Sequence, residues 1–211
     1  MNEKPTTPID QGYISNVNLV SAFFQNAVGQ GERQLLFHKK KGKWRGTTWN
    51  EVADSIKRLS GALVAAGVQP SDRVMICAEN RPEWAIADLA IMAIGAIVVP
   101  AYTTNTEDDH VYIMDHSGAV VIITSGGILA NRIALAASRV PSIRVLITMD
   151  PDTTLPDLAA TTIYDWQSLL KSTKPLVDID TRIAAQNADD ICCFVYTSGT
   201  GGRPKGVMLT H

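Results

Sequence analysis

Apolar residues in this chain change their spacing repeatedly, from short unbroken runs to every third or fourth position and back. Residues 34–37 and 43–49 bracket a basic tip, which predicts a β-hairpin. Thr48-Trp49-Asn50-Glu51 then places a hydroxyl three residues before a carboxylate, the spacing of a capping box. It opens an amphipathic run through Val52, Ile56, Leu59 and Leu63 that predicts a helix closed by Gly67. A buried strand is predicted over 73–77, and Asn80 with Pro82 starts an Ala-rich helix running to about Ile94. A strand at 97–99, a helix capped by Thr106 and ended by Gly118, and a strand at 120–124 continue the alternation. A helix over 129–139 and a strand over 144–148 follow. Residues 151–190 weaken into loops with one short helix near Trp166, and 191–196 is a continuous apolar strand. Strand and helix repeated in this order predict an α/β fold with mostly parallel sheets flanked by helices.

Composition narrows the function classes. With 211 residues and 45% hydrophobic content, the chain can bury a sizeable core. Its net charge of −2, from 19 basic and 21 acidic residues, leaves no general footprint for nucleic acid. The basic run His38-Lys39-Lys40-Lys41-Gly42-Lys43, with Arg45, reads as the solvated tip of the hairpin rather than a polyanion or headgroup patch. Cys77, Cys192 and Cys193 have no metal spacing. Adjacent strand residues point to opposite faces, so Cys192 and Cys193 are expected to stay unpaired, as reduced thiols of a cytoplasmic protein. The N-terminal stretch MNEKPTTPIDQG has no apolar core of a signal peptide, and the longest apolar run, 85–99, is interrupted by Asp88 and Gly95.

Most candidate chemistry reduces to structure. Glu107, Asp108 and Asp109 fall in the first turn of a predicted helix, where carboxylates complement the helix dipole. His110 and His116 are six residues apart, about 240° around a helix, so they cannot share a metal, and both are expected at the surface or half-buried. The stretch YTSGTGGRPKGVMLTH differs from these. Thr197, Ser198, Gly199, Thr200, Gly201 and Gly202 follow an apolar strand directly, with Lys205 just beyond and a further strand beginning after it. Glycines let backbone N–H groups approach an anion, hydroxyls donate to phosphate oxygens, and the lysine brings compact positive charge. The order Pro204-Lys205-Gly206 breaks the Walker A register, so the stretch reads as a phosphate loop of another kind, the alternative being a mobile Ser/Thr/Gly linker.

The segment YTSGTGGRPKGV resembles the signature phosphate loop of the adenylate-forming (AMP-binding) enzymes, Tyr-Thr-Ser-Gly-Thr-Thr-Gly-x-Pro-Lys-Gly. Residues 78–124, and Asn80-Arg81-Pro82-Glu83-Trp84 in particular, resemble the long-chain acyl-CoA synthetase branch, and 47–76 resembles the same family's entry helix and first core strand. Gly201 departs from the pattern, standing where the family usually has a second threonine.

The resemblance implies an ATP-dependent fatty-acid–CoA ligase, forming an acyl-adenylate and then acyl-CoA. ATP, Mg2+ and coenzyme A would be its small-molecule partners, with no nucleic acid. Thr197, Ser198, Gly199, Thr200, Gly201, Gly202 and Lys205 would hold the ATP phosphates, Lys205 would act in catalysis, and Thr200 would supply the magnesium-side hydroxyl. Residues 1–30 are expected to be a tail and lead-in, and 31–211 the N-terminal portion of an AMP-binding domain. Family members run several hundred residues longer, so the chain is expected to be an N-terminal piece, inactive alone. The expected location is the cytoplasm, with peripheral attachment to the inner face of a membrane as an option. A non-catalytic nucleotide-binding module and an adenylating enzyme for another acid class are the alternatives.

Overall fold

The computed structural model describes residues 17–151, 153–197 and 202–211. In chain order its elements begin with α1 (Leu19–Gln30), β1 (Gln34–Lys40), β2 (Lys43–Thr48), α2 (Trp49–Ala65), β3 (Arg73–Cys77) and α3 (Pro82–Ala93). Then come β4 (Ile97–Pro100), α4 (Glu107–Ser117), β5 (Ala119–Thr124), α5 (Gly127–Ala137) and β6 (Val145–Thr148). The last are β7 (Thr162–Asp165), α6 (Trp166–Ser172), α7 (Ile179–Ala184), β8 (Ile191–Thr197) and β9 (Lys205–Thr210). The strands β1 and β2 form a separate antiparallel ribbon, and the other seven make one sheet in the order β7-β6-β5-β3-β4-β8-β9. Every neighbouring pair in that sheet is parallel except β8 with β9.

The two-residue period of the strands divides their apolar runs between two cores. Val74, Ile76, Val98, Val121 and Ile123 pack on one face, against α1, α2 and α3. Met75, Cys77, Val99, Ile122 and Leu146 pack on the other, against α4 and α5. Strands covered on both faces read as near-continuous apolar runs, as 74–77, 97–99, 119–123 and 145–147 do.

Helix boundaries follow local chemistry. Thr48 accepts the Glu51 N–H at 3.2 Å while the Glu51 carboxylate accepts the Thr48 N–H at 2.8 Å, so the foreseen capping box starts α2. Thr106 and Asp109 repeat the device at α4, which ends at Gly118 in the left-handed conformation. Glu107 and Asp108 sit in that first turn and also hold Arg139 at 3.0 and 2.8 Å, so the cluster is structural, as expected.

Three elements have no counterpart in the periodicity reading: α1, β7 and α7. Helix α1 lies within the segment read as a lead-in, yet Val20 is fully buried and Phe23 and Phe24 pack on the first core. Asn18 caps α1 by accepting the Ser21 N–H at 2.8 Å, and its amide donates to the Ile183 carbonyl at 3.0 Å, joining α1 to α7. The two cysteines need a correction. The β8–β9 register shifts between Ile191 and Cys193, and both Cys192 and Cys193 lie against the first core rather than on opposite faces. An irregularity of this kind inserts an extra residue and breaks the strict alternation. Both remain free thiols.

Candidate functional site

Open α/β sheets bind ligands beyond the carboxyl ends of their strands. The chain leaves β3 for α3 on one face and β4 for α4 on the other, so the two loops diverge and open a cleft between them. This cleft has a volume of about 380 Å³ and is walled by Asn80, Trp84, Tyr102, Thr103, Val195 and Tyr196. A second cleft of about 250 Å³, lined by Asn105, Asp109 and Pro204, lies on the other side of Tyr196 and Tyr102. Tyr196 therefore divides two openings, and it is the penultimate residue of β8.

The sequence-predicted loop joins β8 to β9. Thr197 and Lys205 are direct partners across the antiparallel ladder, so the hairpin brings the first and last of the candidate residues side by side, both exposed. Gly202 has φ +107°, a conformation that side-chain-bearing residues rarely adopt, with open space around it. Ser198, Gly199, Thr200 and Gly201 lie outside the described residues.

Helix α4 holds the base of this hairpin. The Tyr112 hydroxyl donates to the Pro204 carbonyl at 2.8 Å, and His116 Nδ1 shares a hydrogen bond of 2.8 Å with the Tyr196 hydroxyl. The Arg203 guanidinium lies over the Tyr112 ring, 5.2 Å from its centroid, and the Tyr196 ring meets Tyr112 edge-on at 6.3 Å. Burial, with Tyr112 nearby, pushes the Tyr196 phenol above its ordinary range, so it keeps its proton. Sequence reasoning missed this set because it compared His116 with His110. The informative pair was Tyr112 and His116, four apart and therefore stacked on one helical face.

His110 is a correction. It is fully buried rather than surface or half-buried, and neither ring nitrogen has a hydrogen-bond partner among the described residues. Burial, with Arg132 nearby, lowers its pKa to about 4. Burying the ring without hydrogen bonds carries a cost even when it is neutral, and burying it as an imidazolium would cost far more, so it stays neutral. Cys77 is also inert: burial and Glu79 push its thiol up to about 12.

At the same end of the sheet Arg81 bridges Glu83 at 2.9 Å and Asp150 at 2.7 Å. Despite partial burial, the Gly126 N–H and Arg81 hold the Asp150 carboxyl below the usual range. Asp150 also receives the Gly126 N–H at 2.7 Å, tying the β3, β5 and β6 loops into one frame. Among the described residues no cluster of three His, Cys, Asp or Glu side chains could hold a metal.

The profile of the family described as AMP-binding enzyme matches residues 23–211. The chain is 32% identical over 170 residues to the long-chain-fatty-acid–CoA ligase FadD15 of Mycobacterium tuberculosis, covering 81% of this chain and 27% of that protein. It is 29% identical over 196 residues to the long-chain-fatty-acid–CoA ligase ACSBG2 of Gallus gallus, covering 91% of this chain and 25% of that protein. Among solved structures, a benzoate CoA ligase from Burkholderia xenovorans superposes with a TM-score of 0.72 at 24% identity, over 92% of this chain and 34% of that one. The anthranilate CoA ligase AuaEII, solved with anthranoyl-AMP, gives 0.75 at 20% identity, over 92% and 35%. The chain thus spans about a quarter of the length of these curated relatives.

Proposed function

Because the chain belongs to the AMP-binding enzyme family, we propose that it forms the phosphate-loop portion of an ATP-dependent acid–thiol ligase of the long-chain fatty-acid–CoA type. The observation that carries this reading is the β8–β9 hairpin, which sets Thr197 beside Lys205 and leaves both exposed where strands of the sheet end. The relatives named as long-chain-fatty-acid–CoA ligases support the acid class. The boundaries 31–211 for the incomplete domain, with 1–30 leading in, belong to the same proposal.

In the reaction, a carboxylate oxygen attacks the α-phosphorus of ATP. The α–β phosphoanhydride bond breaks, pyrophosphate leaves, and an acyl-adenylate remains. The thiol of coenzyme A then attacks the acyl carbon and AMP departs. The residues of this chain act in the first step. Thr197, Ser198 and Thr200 hydroxyls, with the amides of Gly199, Gly201 and Gly202, grip the outer phosphates, and Lys205 neutralises the charge that grows on the leaving pyrophosphate. A magnesium ion would supply Lewis-acid stabilisation of the same phosphates, with the Thr200 hydroxyl beside it. The exposure of Lys205 supports an electrostatic role for it rather than a structural one.

The test is acid-dependent ATP–pyrophosphate exchange by the ligase containing this chain, with a panel of fatty, aryl and amino acids. Long-chain fatty acids should support exchange, and Lys205→Ala should lower it by on the order of 10²–10³ while the melting temperature holds. Exchange with none of the acids, or an unchanged rate in the variant, contradicts the reading.

A further inference from the structure

The β1–β2 ribbon carries charge and aromatic surface that the nucleotide site does not use. Residues 33–50 hold six basic side chains and no acidic one, inside a chain whose net charge is −2, so the remainder stands at −8. Lys41 and Gly42 form the two-residue turn, both with positive φ, and Lys40 and Lys43 face each other across it. Like charges directly opposite on a ribbon repel. Among the described residues none of Lys39, Lys40, Lys41, Lys43 and Arg45 enters an ion pair that would relieve this.

In the sequence this run reads as a solvated tip from its charge and its place between two apolar-leaning segments. The structure adds two aromatic rings beside it. Trp44 is 70% exposed and Phe37 61% exposed. Trp44 pairs with Lys39, and Phe37 precedes Lys39 by two residues, so both rings share one face of the ribbon. They form one wall of an open groove of about 690 Å³. The nearby acids Glu79, Glu83 and Asp150 also line that groove, off the ribbon, the last two held by Arg81.

We propose that this ribbon docks tip-first on an anionic lipid surface. The lysines meet the headgroups and Trp44, with Phe37 behind it, seats at the headgroup boundary. Amphipathic aromatic rings settle at that depth, and clustered lysines are drawn to anionic leaflets over about a Debye length. A nucleic acid fits less well: the remainder of the chain, at −8, repels an extended polyanion, whereas a membrane engages only the tip. The inference does not depend on the ligase reading.

Vesicle co-sedimentation of the 211-residue chain tests it, comparing phosphatidylcholine alone with phosphatidylcholine containing phosphatidylserine. Partition should be roughly tenfold or more higher with the anionic lipid, fall at high salt, and come with a blue shift of tryptophan emission. Trp44→Phe should abolish the blue shift, and Trp44→Ala should weaken partition severalfold. The combined Lys39→Gln, Lys40→Gln, Lys41→Gln and Lys43→Gln variant should bind both vesicles equally. These side chains are exposed, and an unchanged circular dichroism melt confirms that each variant folds. Equal partition of the unaltered chain into both vesicles overturns the proposal. So does anionic binding that survives both sets of changes, or tight binding to RNA with none to vesicles.

Discussion

Asp88 sits on α3 with its carboxyl near the thiols of Cys192 and Cys193, and burial raises its pKa to about 6. In the unfolded chain it releases its proton near pH 3.9. Between those values the folded state binds more protons than the unfolded one, so stability falls as pH rises from about 4 to 6. The penalty is absent below that window and fully present above it. Asp88→Asn should therefore stabilise the fold at pH 7, by on the order of 2 kcal/mol, and change little at pH 4. Denaturant melts at the two pH values check this, and an equal effect at both would contradict it. At this scale the sequence was a mixed guide. The capping roles of Thr48 and Thr106 were legible because a cap is a purely local bargain among four residues. The burial of His110 was not, since it depends on how α5 packs against α4 in three dimensions, which the spacing along either helix does not show.

Short, nearly unbroken apolar runs made β3, β4, β5, β6 and β8 readable, because strands covered on both faces read that way. Helix α1 escaped even though Val20, Phe23, Phe24 and Ala27 recur at helical spacing, a signal hidden by an exposed Leu19 and Val28. The strand β7 and helix α7 are too short to show a period. The β8–β9 hairpin was legible in its loop but not in its support from α4. That support is testable in the intact ligase, on the proposed reading. Tyr112→Phe deletes the hydrogen bond to Pro204 and leaves the ring under Arg203. One lost hydrogen bond of about 1 kcal/mol corresponds to roughly a fivefold effect. The KM for ATP should rise by about that factor, with kcat for thiol transfer unchanged and the melting temperature within a few degrees. Steady-state kinetics with ATP varied separates the two, and a fall in kcat alone would show that the tyrosine does not position the loop.

At the scale of the whole molecule, the sheet's central strands are covered on both faces, and the hairpin lies at one edge, where β9 leaves Val207, Met208 and Leu209 exposed. The fold class was legible in the sequence, and so was the junction between β8 and β9 on which the phosphate-loop proposal rests, because a glycine- and hydroxyl-rich stretch after an apolar strand is a local pattern. The clefts on either side of Tyr196 were not, being assembled from loops that follow β3 and β4 more than ninety residues earlier. The central claim is that residues 197–205 grip phosphate. Amide hydrogen exchange on the 211-residue chain, with and without ATP and magnesium, tests this most directly. Exchange should slow at the amides between Thr197 and Lys205, with a smaller effect on α4 around Tyr112, and stay unchanged at the β1–β2 tip. Protection that appears elsewhere but not in this loop, at ATP concentrations that saturate binding, would contradict the claim.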